Sequence, residues 1–359
     1  VSEKRSPLDA LLVRARRGGV PARVKLDLTN ACNLRCIHCC IVPEDRRELD
    51  LDEIRGLLDE LAGKGCLYLA LSGGEIFLRN DLPEIMEEAH RLKFSLRLMT
   101  NATLIPDTLI PRFPDLNVGE VAVSLYGDTA DLHDRVTQVP GSFEQTVRRI
   151  RRMREVGTRV KTSIMLLAEN VRRFRETAAL AESLDTAWTL DTAILPKHDG
   201  SMAPVAHRIG LSDREEITRF IEETFKDLKR MNDRWNRETW LQGSPCGAGS
   251  TICSINAYGD VFPCPVMPLL AGNVREQSFA EIWDDSPVMK LVRGIRRRDL
   301  KECASCEFAR FCVICPGLAL AEDGDLFGPS SFHCLEARIH QRVYETTYPE
   351  SSSWTPPST

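Results

Sequence analysis

The chain has 359 residues, 47 Lys and Arg against 52 Asp and Glu, a net charge of −5 and 13 cysteines. That length can bury a large core and hold one domain or two, and the mildly acidic balance gives no general electrostatic case for nucleic acid. No apolar run approaches the ~18 residues of a membrane span, and Val1–Gly19 is charged without an apolar centre, so no secretory signal is read there. A cytoplasmic, reducing setting is therefore expected, in which grouped cysteines are metal ligands or redox groups and rarely disulfides.

From Ala22 onward, short β-branched apolar runs alternate with helical periodicity. Strands are predicted at Arg23–Thr29, Leu67–Ser72, Ser95–Thr100, Val118–Leu125, Arg159–Leu166 and Trp188–Leu195. Helices are predicted near Asp52–Gly63, Leu82–Leu92, Asp107–Arg112, Phe143–Val156 and Val171–Leu184, with a further charged helix from about Asp213 to Met231. Ser142 to Gln145 and Ser212 to Glu215 read as capping boxes. Strand–helix alternation at this pace implies parallel strands with crossover helices, and six units suggest an open, partial (β/α)6 barrel. The arginine-rich stretch Arg148–Arg154 reads as the solvated face of a helix.

Barrels of this kind gather their chemistry at the C-terminal ends of the strands. Cys32, Cys36 and Cys39 follow the first strand in a C-x-x-x-C-x-x-C run, Gly73-Gly74-Glu75 follows the second, Asn101 the third and Ser124 the fourth. Three thiolates hold only three corners of a four-iron cluster and leave one iron open to a ligand that is not protein. Structural zinc, the plainer alternative, takes four closed ligands, typically two C-x-x-C pairs. Cys40 adjoins the run too closely to ligate the same cluster without strain, and Cys66 reads as a small buried apolar residue.

The cysteine run and the glycine pair together resemble the radical S-adenosylmethionine (radical SAM) superfamily. The resemblance implies a [4Fe-4S] cluster on Cys32, Cys36 and Cys39 whose open iron takes S-adenosylmethionine. It also implies that Gly73, Gly74 and Glu75 receive the cosubstrate's amino group, its ammonium meeting the Glu75 carboxylate. Asn101 and Ser124 fall where the family contacts the rest of the cosubstrate. His133 and Asp134 more often steady a loop in this family. Thr137-Gln138 stands where many relatives have Arg-Gly, so a role carried by that arginine does not transfer.

After Gln242 the rhythm changes to cysteine-, glycine- and proline-rich sequence. Cys246, Cys253, Cys264, Cys303, Cys306, Cys312, Cys315 and Cys334 are eight thiols, enough for two fully ligated clusters. This field resembles the SPASM domain, a C-terminal extension that carries auxiliary iron–sulfur clusters. By analogy Cys246, Cys253, Cys264 and Cys315 would hold one cluster and Cys303, Cys306, Cys312 and Cys334 the other, although only two residues separate Cys312 from Cys315 where relatives commonly have three.

The expected organisation is an α/β protein with an N-terminal extension (1–21), a radical SAM partial barrel (22–241), a small cysteine-rich SPASM domain (242–346) and a disordered tail (347–359). The resemblance implies an oxidoreductase that abstracts hydrogen from a peptide or protein, with a separate recognition protein and a flavodoxin or ferredoxin as electron donor. Auxiliary clusters would take up electrons. Alternatives are a radical SAM dehydrogenase or decarboxylase acting on a small molecule or tetrapyrrole, and a zinc-stabilised binding module. Asp191, His198 and Asp199, near the sixth strand's end, are candidates for proton transfer.

Overall fold

The computed structural model describes residues 7–233 and 235–351. The chain forms two compact units, one of residues 1–208, 247–265 and 269–293, the other of 209–246, 266–268 and 294–359. The first holds a nine-stranded sheet. Strands β1 (Arg23–Thr29), β2 (Tyr68–Gly73), β3 (Ser95–Thr100), β4 (Val118–Ser124), β5 (Val160–Met165) and β6 (Ala187–Asp191) lie side by side in sequence order and all run parallel. This is the six-stranded barrel half expected from the alternation of the sequence.

Period-two patterning explains which face is which. Val24, Leu26 and Leu28 of β1 are at most 1% exposed and join Leu69, Leu71, Leu96, Leu98, Val121 and Val123 in the main core. The alternate residues Asp27, Ser72, Ala122 and Ser124 turn to the other face. The helix Leu51–Gly63 packs on the core side through Ile54, Leu57, Leu58 and Leu61, spaced at helical period, and starts with an Asp50–Glu53 capping box.

The sheet does not stop at six strands. β7 (Ile252–Ile255) pairs parallel to β1, Arg23 opposite Ile252, and β8 (Asp260–Phe262) and β9 (Gly272–Asn273) continue antiparallel. Part of the cysteine-rich region is thus built into the compact unit of the barrel, and the composition break at 242 does not coincide with the compact units. Composition registers metal ligands and turn residues, whereas compactness follows strand pairing.

Several local expectations are corrected. Asp107–Arg112 is no α-helix but a single 3-10 turn at Ile110–Arg112, because Pro111 removes a donor and clashes with the preceding turn. The helix Ser142–Glu155 is not capped by Ser142: Gly141 stands at its N-cap in a left-handed conformation. Asp134 reaches over to accept from the Gly141 and Phe143 amides at 2.6 and 2.9 Å and from the Ser142 hydroxyl at 2.7 Å. Gly210, not Ser212, precedes the helix Leu211–Phe225. That helix breaks at Lys226 (φ +56°) before Asp227–Asp233.

The second compact unit contains no strand among its described residues. Its longest helix, Ser331–Thr347, and Leu211–Phe225 share an ion pair between the buried Arg214 and Glu336. A core cluster of Leu228, Phe311, Ile339, Val343 and Tyr344 lies beside short turns. No helix among the described residues is long and apolar enough to cross a membrane. The expected tail falls largely on residues 352–359, outside the described residues.

Candidate active site

At the C-terminal ends of β1–β5 a cavity of about 880 Å³ opens, and Cys32, Cys36 and Cys39 all line it. The loop that carries them leaves β1 directly. Backbone bonds from Arg35 N to Thr137 O (3.0 Å) and from Ile37 N to Val136 O (3.1 Å) hold it down, so Thr137, standing where relatives carry an arginine, serves as a backbone anchor. Burial pushes the Cys36 thiol up to about 12, with the neighbouring Cys39 and Cys32 adding to the shift. Cys32 is raised by burial too, then by Glu75 and Cys39. Burial alone accounts for most of both shifts; what fits a metal cluster is that the three thiols line one cavity. No three Cys, His, Asp or Glu side chains among the described residues are grouped tightly enough for one metal ion.

The glycine pair works differently from expectation. Gly73 has φ +132°, and a Cβ there would lie 2.2 Å from Thr29 O; one on Gly74 would lie 2.1 Å from Ala31 O. The missing side chains let the end of β2 press against the start of the cysteine loop, with Gly74 N bonded to Thr29 O and Glu75 N to Ala31 O at 2.8 Å each. The faces of Gly73 and Gly74 that remain open line the cavity.

Glu75 was expected to meet an ammonium group, but its side chain is completely buried. It accepts from Thr100 Oγ1 (2.7 and 2.8 Å), Asn101 N (2.9 Å) and Phe77 N (3.1 Å). Burial nonetheless pushes its carboxyl above the usual range. Glu75 is therefore a positioning residue. It ties β2 to the end of β3, where Asn101 Nδ2 donates to Asn33 Oδ1 at 2.9 Å and Asn33 Nδ2 to Thr103 Oγ1 at 2.8 Å. Asn101 and Ser124 do line the cavity, and Tyr126, deeply buried, bonds its hydroxyl to both Ser124 and Cys36.

Residues outside the motifs complete the walls: His38, Ser163, Lys197 and Tyr258 among them. His38 Nδ1 is buried without a hydrogen-bond partner, and burial lowers its pKa to about 4. Tyr258, at the β7–β8 turn, takes the Glu44 amide at 2.8 Å, and Arg46 grips Asp260 with two bonds at 2.6 and 3.0 Å. The segment after the cysteine run is thereby clasped by residues more than two hundred positions later. The only sequence signal for Tyr258 was its place in the Asn256–Cys264 stretch. Asp191 and Asp199 instead accept from Ala193 N and Ser201 N in exposed turns, and His198 is exposed; none of the three lines the cavity. Cys40 sits partly buried, its backbone oxygen taking the His198 amide at 2.9 Å.

In the second unit Cys303, Cys306, Cys312 and Cys334 line a single pocket of about 430 Å³. Burial raises Cys312 to about 12 and Cys303 to about 11, in each case reinforced by the other thiols of the set. Four thiols around one pocket fit a fully ligated cluster. Cys315 and Cys246 lie near one another, and Cys315 also takes the Leu318 amide at 3.4 Å. Cys264 is buried, and Cys253 is 1% exposed within the main core of the barrel unit.

The Radical SAM superfamily model matches residues 26–181, and that of an iron-sulfur cluster-binding domain, SPASM, matches 246–307. An AdoMet-dependent heme synthase from Methanosarcina barkeri is 29% identical over 334 residues, 85% of this chain and 94% of the relative. The mycofactocin maturase MftC of Mycolicibacterium smegmatis is 28% identical over 84% of this chain and 79% of the relative. In fold, Streptococcus suis SuiB bound to its precursor peptide SuiA superimposes with a TM-score of 0.70 at 17% identity, covering 92% of this chain and 82% of that one.

Proposed function

Since the chain belongs to the radical SAM superfamily and carries a SPASM domain, we propose that it oxidises a peptide by abstracting hydrogen from an unactivated C–H bond. The cavity carries this reading. Its 880 Å³ lies near the top of the ~300–1,000 Å³ typical of small-molecule sites, room for a substrate beside the cosubstrate. A cluster held by Cys32, Cys36 and Cys39 would supply the electron for reductive cleavage of S-adenosylmethionine, the chemistry on which hydrogen abstraction from the substrate would rest.

The protein's own residues hold and orient. Cys32, Cys36 and Cys39 are the ligands of that cluster; Gly73, Gly74, Asn101 and Ser124 receive the cosubstrate. Arg35 and Lys197, on the cavity wall, have no ion pair among the described residues. They suit a carboxylate, whether of a peptide or of another acid. Cys303, Cys306, Cys312 and Cys334 would hold an auxiliary cluster, which would supply an acceptor for the electron left on the substrate. A flavodoxin or ferredoxin supplies the reducing electron, and a separate recognition protein delivers the peptide.

A tetrapyrrole is the second reading, favoured by the 29% identity to a heme synthase over 94% of its length. Anaerobically reconstituted protein, given dithionite and S-adenosylmethionine, separates the two. Deoxyadenosine formation stimulated by a short precursor peptide supports the first, whereas stimulation only by tetrapyrrole carboxylic acids overturns it. No deoxyadenosine with any substrate, from protein containing about twelve irons, would refute both.

A further inference from the structure

We infer that Tyr126 donates a hydrogen bond to the Cys36 thiolate and thereby eases reduction of the cluster held there. The inference rests on the reading that Cys36 is a cluster ligand.

Strand geometry places the phenol. Strand β4 ends at Ser124, and the Leu125 amide carries its pairing on to Ser163 O at 3.0 Å. In extended backbone, residues two apart share a face. Leu125 is accordingly fully buried, while Ser124 and Tyr126 both line the cavity, as Cys36 does. Tyr126 is 7% exposed and packs with Val136, Leu167 and Ile194, a patch against which Cys36 also lies. Its hydroxyl meets Ser124 and Cys36.

The main chain at Tyr126 is held as firmly as the ring. Its amide donates to His133 Nδ1 at 3.2 Å, and its carbonyl accepts from Asn170 Nδ2 at 3.0 Å. His133 comes from the helix Ala130–Thr137 and Asn170 from the turn after β5, and they are 1% and 3% exposed. Two buried polar side chains from different elements therefore fix the backbone of one residue. The sulfur is tied to the same wall, since the Ile37 amide beside Cys36 bonds to Val136 O.

Counting protons gives the direction of donation. A ligating thiolate has no proton and can only accept. The phenol has one, which goes to Cys36, and Ser124 makes the other bond by donating to the phenol oxygen. A chain from Ser124 Oγ through Tyr126 Oη to Cys36 Sγ results, and bonds in such a chain strengthen one another. A donor on a cluster sulfur offsets negative charge, and there is more of it after reduction, so the reduced form gains more. Cys32 is served by the Leu34 amide at 3.4 Å, a backbone donor that no substitution removes. Tyr126 is a positioning residue that acts through Cys36.

The test is a redox titration of anaerobically reconstituted full-length protein, followed by EPR. The relevant signal is the one missing from Cys36→Ala protein. Tyr126→Phe keeps the ring and removes only the hydroxyl. Poised at the midpoint of the unaltered protein, its ratio of reduced to oxidised cluster should fall about tenfold, the order of one hydrogen bond to a charged group. That is a midpoint lower by about 59 mV for a one-electron couple, at unchanged iron content. An unchanged midpoint overturns the inference, and a lowered melt of the barrel unit beside it would show a structural role alone.

If Tyr126→Phe does not retain iron, protein made with 3-fluorotyrosine decides instead. The more acidic phenol donates more strongly and should raise the midpoint, whereas an unchanged or lower midpoint overturns the inference. No EPR signal distinguishing unaltered from Cys36→Ala protein would refute the cluster reading itself, and the inference with it.

Discussion

The two cysteine sites with complete ligand sets are built in opposite ways. In the barrel unit, Cys32, Cys36 and Cys39 sit on a loop held by a parallel sheet, by backbone bonds to Val136 and Thr137, and by the buried Glu75–Thr100–Asn101 network. There the fold positions the ligands. In the second unit Cys303, Cys306, Cys312 and Cys334 hang on a five-residue helix, a 3-10 turn and the start of the last helix. Beside them lies a core cluster of Leu228, Phe311, Ile339, Val343 and Tyr344. No strand of the second unit carries these four thiols, so ligation would itself add to the order of the segments that bear them, as in small metal domains.

The largest effect that separates them is metal removal. Anaerobic chelation should render residues 294–351 sensitive to protease while residues 23–208 stay protected; equal sensitivity of both segments would end the distinction. Cys36→Ala should then abolish deoxyadenosine formation and remove about four irons without changing the far-UV circular dichroism of the chain.

Glu75→Ala sharpens the same contrast, because it strands three buried donors and should cost about 4 kcal/mol, measured by denaturant melting of the barrel unit. A melt unchanged by Glu75→Ala would mean that the cysteine loop is held by its backbone bonds alone. Next comes acid. His133 is 1% exposed and burial holds its pKa at about 4, against 6.5 unfolded. Between pH 6.5 and 4 the unfolded chain binds the extra proton, so stability falls as pH falls, by about 3 kcal/mol in all. His133→Phe should flatten that slope in pH-dependent melts. The smallest effect is Tyr258→Phe, which frees the Glu44 amide and should cost about 1 kcal/mol while raising the KM for S-adenosylmethionine or substrate without a matching fall in kcat.

What could be read in advance follows from the physics of each element. Strands β1 and β3 were placed to the residue because alternating apolar patterning ends abruptly at polar turns. The cysteine run was legible because ligand count and spacing are chemical facts of the sequence. Glu75 was misplaced because a glutamate after two glycines carries no local sign of whether it faces a ligand or three buried donors. Cys253 stands opposite Val24 in the sheet, a pairing across more than two hundred residues that no local pattern shows. His38, Lys197 and Tyr258 were missed as cavity residues because only the folded chain brings them to the same cavity.

The pairing of β7 with β1 also bears on how the chain is made. Until Ile252–Ile255 leaves the ribosome, β1 is an open edge with unpaired backbone groups, and the cysteine loop hangs from that edge. At ~5–20 residues per second of synthesis, the edge stays open for roughly ten to fifty seconds. During that interval the nascent barrel is exposed to strand addition from other chains and its ligand thiols to oxidants. Expression should therefore respond to translation speed and to chaperone and iron–sulfur assembly supply more than to the stability of the finished protein.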